Sequence, residues 1–175
     1  MTDAPRILVF TGDGKGKTTA ALGMALRAAG HAMRTCVLQF VKHDAAVGEV
    51  AAAAGSPFIE ILQVGGGFLP PAGSAEMAQH RAAAQEGLRQ AAEILAGGQY
   101  PLVILDEVCF AVARGLLDEQ QVIEAVGRAR DGTCVVLTGR DATEGLVALA
   151  DTVTEMRCVK HAMRSGIPAQ KGVEW

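Results

Sequence analysis

Short apolar runs alternate with longer helix-forming stretches along this chain. Arg6–Phe10 (RILVF) is nearly unbroken apolar sequence, the pattern of a strand buried on both faces of a parallel sheet. Thr18–Ala29 (TTAALGMALRAA) is rich in helix formers and meets a stop signal at Gly30, so it predicts a helix. The same alternation recurs downstream. Thr35–Val41, Phe58–Val64, Leu102–Asp106 and Thr133–Thr138 predict strands, Ser74–Ala96 a long helix and Ala51–Ala54 a small one. Asp118, with Gln121 three residues on, resembles a capping box that opens a helix to about Arg130. Thr143–Leu149 predicts a last short helix and Thr152–Met156 a last strand. Strand, loop and helix in repeated succession define an α/β protein with a mostly parallel central sheet flanked by helices.

Length bounds this picture: at about 150 residues per domain, 175 residues make a single domain over 1–175. Hydrophobic residues are 50% and charged residues 20%, enough for a sizeable core. Aromatics are 4% while glycines number 21, so the core is mostly Ala, Val, Leu and Ile, and many turns are tight. A net charge of -3 argues against a general nucleic-acid binder, so any phosphate binding must be local. Cys36, Cys109, Cys134 and Cys158 are widely spaced, suggesting neither a zinc site nor a disulfide framework. The N-terminus lacks the features of a signal peptide. No uncharged apolar run reaches the roughly 18 residues a membrane helix needs. A cytoplasmic protein with no membrane and no nucleic-acid partner is the expectation.

Chemistry enters at TGDGKGKTT, Thr11–Thr19, which sits between a buried strand and a helix, the context that makes a glycine-lysine pattern a phosphate-binding P-loop. Gly12, Gly14 and Gly16 let backbone approach phosphate oxygens, and the first N–H groups of the helix point into the same concavity. Lys17 supplies a point charge, Lys15 a second cation, and the Thr18 hydroxyl a ligand for Mg2+. The strict pattern wants glycine where this chain has Thr11. LVILDE, Leu102–Glu107, puts Asp106 and Glu107 at the carboxyl end of a strand, the edge where open α/β sheets bind ligands. Both acids are candidates for holding magnesium, and strand alternation predicts that one of them faces the nucleotide directly. Arg140 at the end of a strand and Gln39 at the end of another are further nucleotide-site candidates. These residues leave an ATPase, a kinase and another ATP-using transferase open.

Further segments separate those classes. FTGDGKGKTTAALG (Phe10–Gly23), LQFVK (Leu38–Lys42), GGGF (Gly65–Phe68), LDE (Leu105–Glu107), LTGR (Leu137–Arg140), ADTVTEM (Ala150–Met156) and VKHAMRSGIPAQKGVEW (Val159–Trp175) together resemble the P-loop corrinoid adenosyltransferases. The resemblance covers nearly the whole chain, and the last segment is its most specific part. It implies a RecA-like P-loop domain that transfers the 5′-deoxyadenosyl group of ATP to a Co(I) corrinoid and releases triphosphate. ATP and the corrinoid are then substrates, Mg2+ the cofactor, an electron-donating reductase a partner, and a homodimer the expected assembly.

By the same resemblance, Gly12 to Thr18 hold the triphosphate, Thr11 and Thr19 join the nucleotide-binding residues, Thr18 and Glu107 hold magnesium, and Arg27 contacts nucleotide. Lys17, Phe68 and Glu107 are the implied catalytic residues. Phe68 matches an aromatic that displaces the lower axial ligand of cobalt, and with His161 it is a candidate corrinoid contact. Asp13 stands where many relatives have Asn, which turns it toward a magnesium water or Lys15. Pro70 replaces a Trp common in relatives, removing an aromatic from the corrinoid face. The chain begins almost directly at its first strand, without the N-terminal extension of some relatives, an expectation of a corrinoid pocket that is more open or completed by another subunit. The rival readings are a generic P-loop ATPase or kinase, and a nucleotide-gated corrinoid carrier with little turnover.

Overall fold

The computed structural model describes residues 4–41, 44, 47–67, 69–70 and 74–174. Six strands, β1 (Arg6–Thr11), β2 (Thr35–Gln39), β3 (Ile59–Gln63), β4 (Leu102–Asp106), β5 (Cys134–Thr138) and β6 (Thr152–Glu155), form one sheet in the order β3-β2-β4-β5-β1-β6. Every adjacent pair is parallel, so the sheet is wholly rather than mostly parallel. Parallel neighbours need long crossovers. These contain helices α1 (Lys17–Ala29), α2 (Gly48–Ala54), α3 (Met77–Gly97), α4 (Val108–Ala113), α5 (Glu119–Val126) and α6 (Glu144–Leu149).

The unbroken apolar runs are explained by burial on both faces. Phe10, Val37, Leu102, Ile104 and Val136 pack on one side against Ala21, Ala25 and Ala28 of α1. Their strand neighbours Val9, Cys36, Leu38, Val103, Leu105, Val135 and Leu137 pack on the other against residues of α3, α4, α5 and α6. Each fully buried Val, Leu or Ile contributes about 1.5–3 kcal/mol over an exposed one. The α1 face uses alanines at i, i+4 and i+7, which bring the helix close to the sheet and hold its N-terminus against the strand ends. The central strands β4, β5 and β1 therefore deliver their carboxyl ends side by side beneath that helix end.

Several element ends differ from the sequence pattern for local reasons. The Asp118 side chain does accept from the Gln121 N–H, 3.2 Å, but its helix stops at Val126. Gly127 follows, and Arg128 and Ala129 N–H groups close tighter bonds to Ala125 and Val126. β2 ends at Gln39, where the Gln39 carbonyl accepts from both Val64 and Gly65. α3 begins at Met77, after a turn in which Met77 N–H donates to Ser74 O. Two elements had no pattern to announce them. α4 is an apolar six-residue helix that reads like a strand continuation, and a 3-10 turn at Ala162–Ser165 lies in the polar tail. Among the described residues, no helix is long and apolar enough to cross a membrane.

Candidate active site

Three strand ends build the site: Thr11–Thr19 after β1, Asp106–Glu107 after β4, and Arg140 after β5. Gly12 (φ 94°) and Gly16 (φ 122°) take backbone conformations that L side chains rarely adopt, and these turn the loop back toward α1. The loop rests on the end of β6. Met156 N–H donates to Thr11 O at 2.8 Å and Gly14 N–H donates to Met156 O at 2.6 Å. A Cβ on Gly12 or Gly14 would lie 2.5 or 2.7 Å from that Met156 oxygen. ADTVTEM is thus the brace of the P-loop, a role its strand pattern does not announce. The Thr11 hydroxyl accepts from Ala142 N–H at 3.1 Å, tying the loop's first residue to the connection after β5. That use accounts for a side chain where the strict pattern has glycine.

Lys17 opens α1 and is 7% exposed. Its ammonium donates to Gly12 O (2.7 Å) and Gly14 O (2.8 Å), so it sits in the concavity of its own loop. Burial lowers its pKa from the ordinary lysine value. Glu107 opposes that shift, Arg140 adds to it, and Asp13 and Asp106 oppose it more weakly. These five side chains are therefore electrostatically close.

The two acids divide their work, and not by strand alternation. Asp106 ends β4 fully buried: Thr18 and Thr138 hydroxyls donate to its Oδ1 at 2.8 and 2.7 Å. Glu107 has already left the strand with φ 63°, and its N–H donates to the Thr138 hydroxyl at 2.9 Å. That left-handed turn sends Glu107 to the cavity lining while Asp106 stays behind it. Thr138 serves both acids, and the sequence reading passed over it although it sits in the LTGR segment.

The cavity has a volume of about 700 Å³ and is bounded by the P-loop from Asp13 to Thr19, by Glu49 of α2, by Glu107 and Arg140, and by the C-terminal tail. That is ample for a drug-sized ligand. His161 lines it too, while its Nδ1 accepts from Met163 N–H at 3.3 Å and caps the 3-10 turn. Lys15 points across the cavity to the tail, donating to Val173 O at 2.8 Å. Glu49 and the tail residues Gly172, Val173 and Glu174 were not foreseen as lining residues. Glu49 belongs to no motif, and although the three tail residues fall in the most family-specific segment, only the chain's return to the P-loop brings them to the cavity.

Three predicted nucleotide contacts are not among the residues that line this cavity. Gln39 is fully buried beside the acids, its amide nitrogen 3.5 Å from both Asp106 Oδ2 and Glu49 Oε1 and its oxygen accepting from Gln63 at 3.1 Å. The Thr11 side chain is on Ala142. Arg27 lies exposed in the last turn of α1, ten residues and about 15 Å along the axis from Lys17. Phe68 lies outside the described residues. The glycines before it are packed tightly, with Gly65 against the Phe40 carbonyl and Gly66 against the His80 ring, so a Cβ would come within 2.3 and 2.9 Å respectively.

A parallel sheet whose first strand feeds a glycine-lysine loop, with a carboxylate at the end of a central strand beside it, defines the P-loop nucleotide-binding class. The fold agrees: a KaiC-like protein from Pyrococcus horikoshii, PH0186, superposes with a TM-score of 0.56 over 89% of this chain and 72% of that one, at 15% identity. The family model described as ATP:corrinoid adenosyltransferase BtuR/CobO/CobP matches residues 3–175. The chain belongs to that family. Similar proteins include the corrinoid adenosyltransferase of Pseudomonas aeruginosa, 40% identical over 97% of this chain and 83% of its own length. Those of Escherichia coli K12 and Salmonella typhimurium are each 38% identical over 97% of this chain and 85% of their own.

Proposed function

We propose that this chain transfers the 5′-deoxyadenosyl group of ATP to the Co(I) of a reduced corrinoid. The electron pair of Co(I) forms the cobalt–carbon bond, the bond between C5′ and the phosphate oxygen breaks, and that pair leaves on triphosphate. The observation that carries the reading is a P-loop cavity with Lys17, Glu107 and Arg140 converging on it, in a chain that belongs to the ATP:corrinoid adenosyltransferase family. Because the metal centre of the substrate is the nucleophile, the protein's task is to orient C5′ and stabilise the charge that develops on triphosphate. The buried thiols fit that division of labour, since burial pushes Cys36 and Cys109 up to about 12, leaving them protonated at neutral pH.

Roles follow from position. Backbone from Gly12 to Thr19 cradles the triphosphate, with Lys17 and Arg140 as the cations facing it. The Thr18 hydroxyl donates its hydrogen bond to Asp106, which turns the oxygen's lone pairs outward. With Glu107 this makes a sparse set of hard oxygen donors that suits Mg2+, an ion that keeps waters and phosphate oxygens as its other ligands. When bound, Mg2+ would neutralise charge on the leaving triphosphate. Asp106 and Thr138 hold Thr18 and Glu107 in place from behind. Phe68 takes the corrinoid-facing role its family position implies, and His161 lines the P-loop cavity.

A one-electron donor has to supply Co(I), so an electron-donating reductase belongs to the proposal, as do a cytoplasmic setting and a homodimer. The strongly exposed Leu26, Val159, Met163 and Ile167 offer apolar surface to a second copy. Incubation with Mg-ATP and a Co(I) corrinoid, followed by chromatography of the phosphate products, tests the reading. Triphosphate is expected; orthophosphate alone would favour an ATPase, and ADP with a phosphorylated acceptor a kinase.

A further inference from the structure

Lys15 and Lys17 lie two residues apart in one loop and point in different directions. Lys17 is buried and bonds to carbonyls of its own loop. Lys15, its side chain 47% exposed, reaches to the other end of the chain: its ammonium donates to Val173 O at 2.8 Å and lies 3.7 Å from Glu174 Oε1. The segment it grips is a closed unit. Glu174 Oε2 accepts from Gln170 N–H at 2.7 Å, and the N–H groups of Val173 and Glu174 both donate to Gln170 O. Gly172, Val173 and Glu174 line the same cavity as the P-loop.

We propose that Lys15 is a positioning residue that anchors the C-terminal turn as a wall of the nucleotide cavity, with its charge matched to Glu174 rather than reserved for phosphate. The proposal rests on the reading that this cavity receives the triphosphate. Asp13, Glu49, Glu107 and Glu174 all line the cavity, so an unmatched Glu174 would repel an incoming polyanion. Lys15 removes that repulsion and fixes the wall with the same contact. The GKGK spacing then has two purposes: the second lysine serves the phosphate, the first the tail.

The test uses the full chain and needs neither corrinoid nor turnover. Trypsin cleavage after the exposed Arg164 and Lys171 reports tail docking, and equilibrium binding of ATP reports the phosphate site. Lys15→Ala should speed cleavage about three- to tenfold, as expected for losing a partly exposed charge-assisted contact. Glu174→Gln should give part of that effect. The exchange Lys15→Glu with Glu174→Lys should restore protection and bring ATP affinity back to within about threefold of the parent. Unchanged tail cleavage in Lys15→Ala overturns the proposal, with or without a loss of ATP affinity. So does an exchange variant that regains tail protection yet binds ATP as poorly as Lys15→Glu alone, because Lys15 would then be a phosphate ligand. A parent chain that binds no ATP would instead defeat the reading of the cavity, with tail protection still reporting the anchor.

Discussion

Lys17 concentrates the chemistry at the residue scale. The contact proposed for it with the leaving triphosphate is charge-assisted, so Lys17→Ala should cost about 1.5–3 kcal/mol, or about 10–150-fold in kcat/KM; unchanged steady-state kinetics would remove it from the mechanism. Thr138 makes a complementary case. Its hydroxyl donates to Asp106 and accepts from Glu107 N–H, both in the interior. Thr138→Val preserves shape and leaves both partners short, so it should destabilise by about 1–3 kcal/mol. At about 2–4 °C per kcal/mol for a chain of this size, the thermal midpoint should fall by several degrees, and nucleotide affinity with it. Gly, Lys and Thr were legible in the sequence because their spacing is itself the signal. Thr138 and Glu49 were not, because a hydroxyl or carboxylate gains its meaning from a partner far along the chain.

At the scale of elements, the P-loop is held by β6 as much as by the helix it opens. Gly14→Ala would place a Cβ 2.7 Å from Met156 O and 2.9 Å from the Arg157 carbonyl carbon, backbone atoms that yield only if the brace moves. ATP affinity should drop at least about tenfold, with about 1–3 kcal/mol of stability lost to overpacking. Gly23→Ala on α1 has nothing within 4 Å of the new Cβ. It should raise stability by about 0.5–1 kcal/mol through helix propensity and leave ATP binding alone. Equal effects in both variants, read by calorimetric titration and thermal melts, would contradict the brace. The central strands β1, β2, β4 and β5 were readable because each short apolar run is set apart by turn residues and helix-forming stretches in regular alternation. α4 was not, since VCFAVA is short and apolar and only the turn at Glu107 diverts it into a helix.

For the whole molecule, buried charge links stability to pH. Burial lowers the Lys17 pKa, so just below the ordinary lysine value of 10.5 the unfolded chain binds a proton that the folded chain has released. Stability contributed by this group therefore rises with pH through that window and is smallest below the folded-state pKa. Lys17→Met should remove that rise, seen as a parent-minus-variant difference in thermal midpoint that grows as pH rises toward the ordinary lysine value of 10.5; a constant difference would contradict it. The role proposed for Phe68 from its family position predicts that Phe68→Ala slows turnover when Co(II) must be reduced on the protein and spares reaction with pre-reduced Co(I). Equal losses in the two assays would reduce Phe68 to packing. The architecture and the phosphate end of the site were legible in advance, whereas the wall formed by Gly172 to Glu174 depends on the tail returning to Lys15, a contact across 158 positions.

Anaerobic mixing of the protein with Mg-ATP and chemically reduced Co(I) cobalamin, followed by visible spectroscopy, tests the central claim most directly. The account predicts a light-sensitive alkylcobalamin spectrum that develops in step with one equivalent of triphosphate. A Co(I) spectrum that persists while ATP is bound, or while orthophosphate is released, would contradict it.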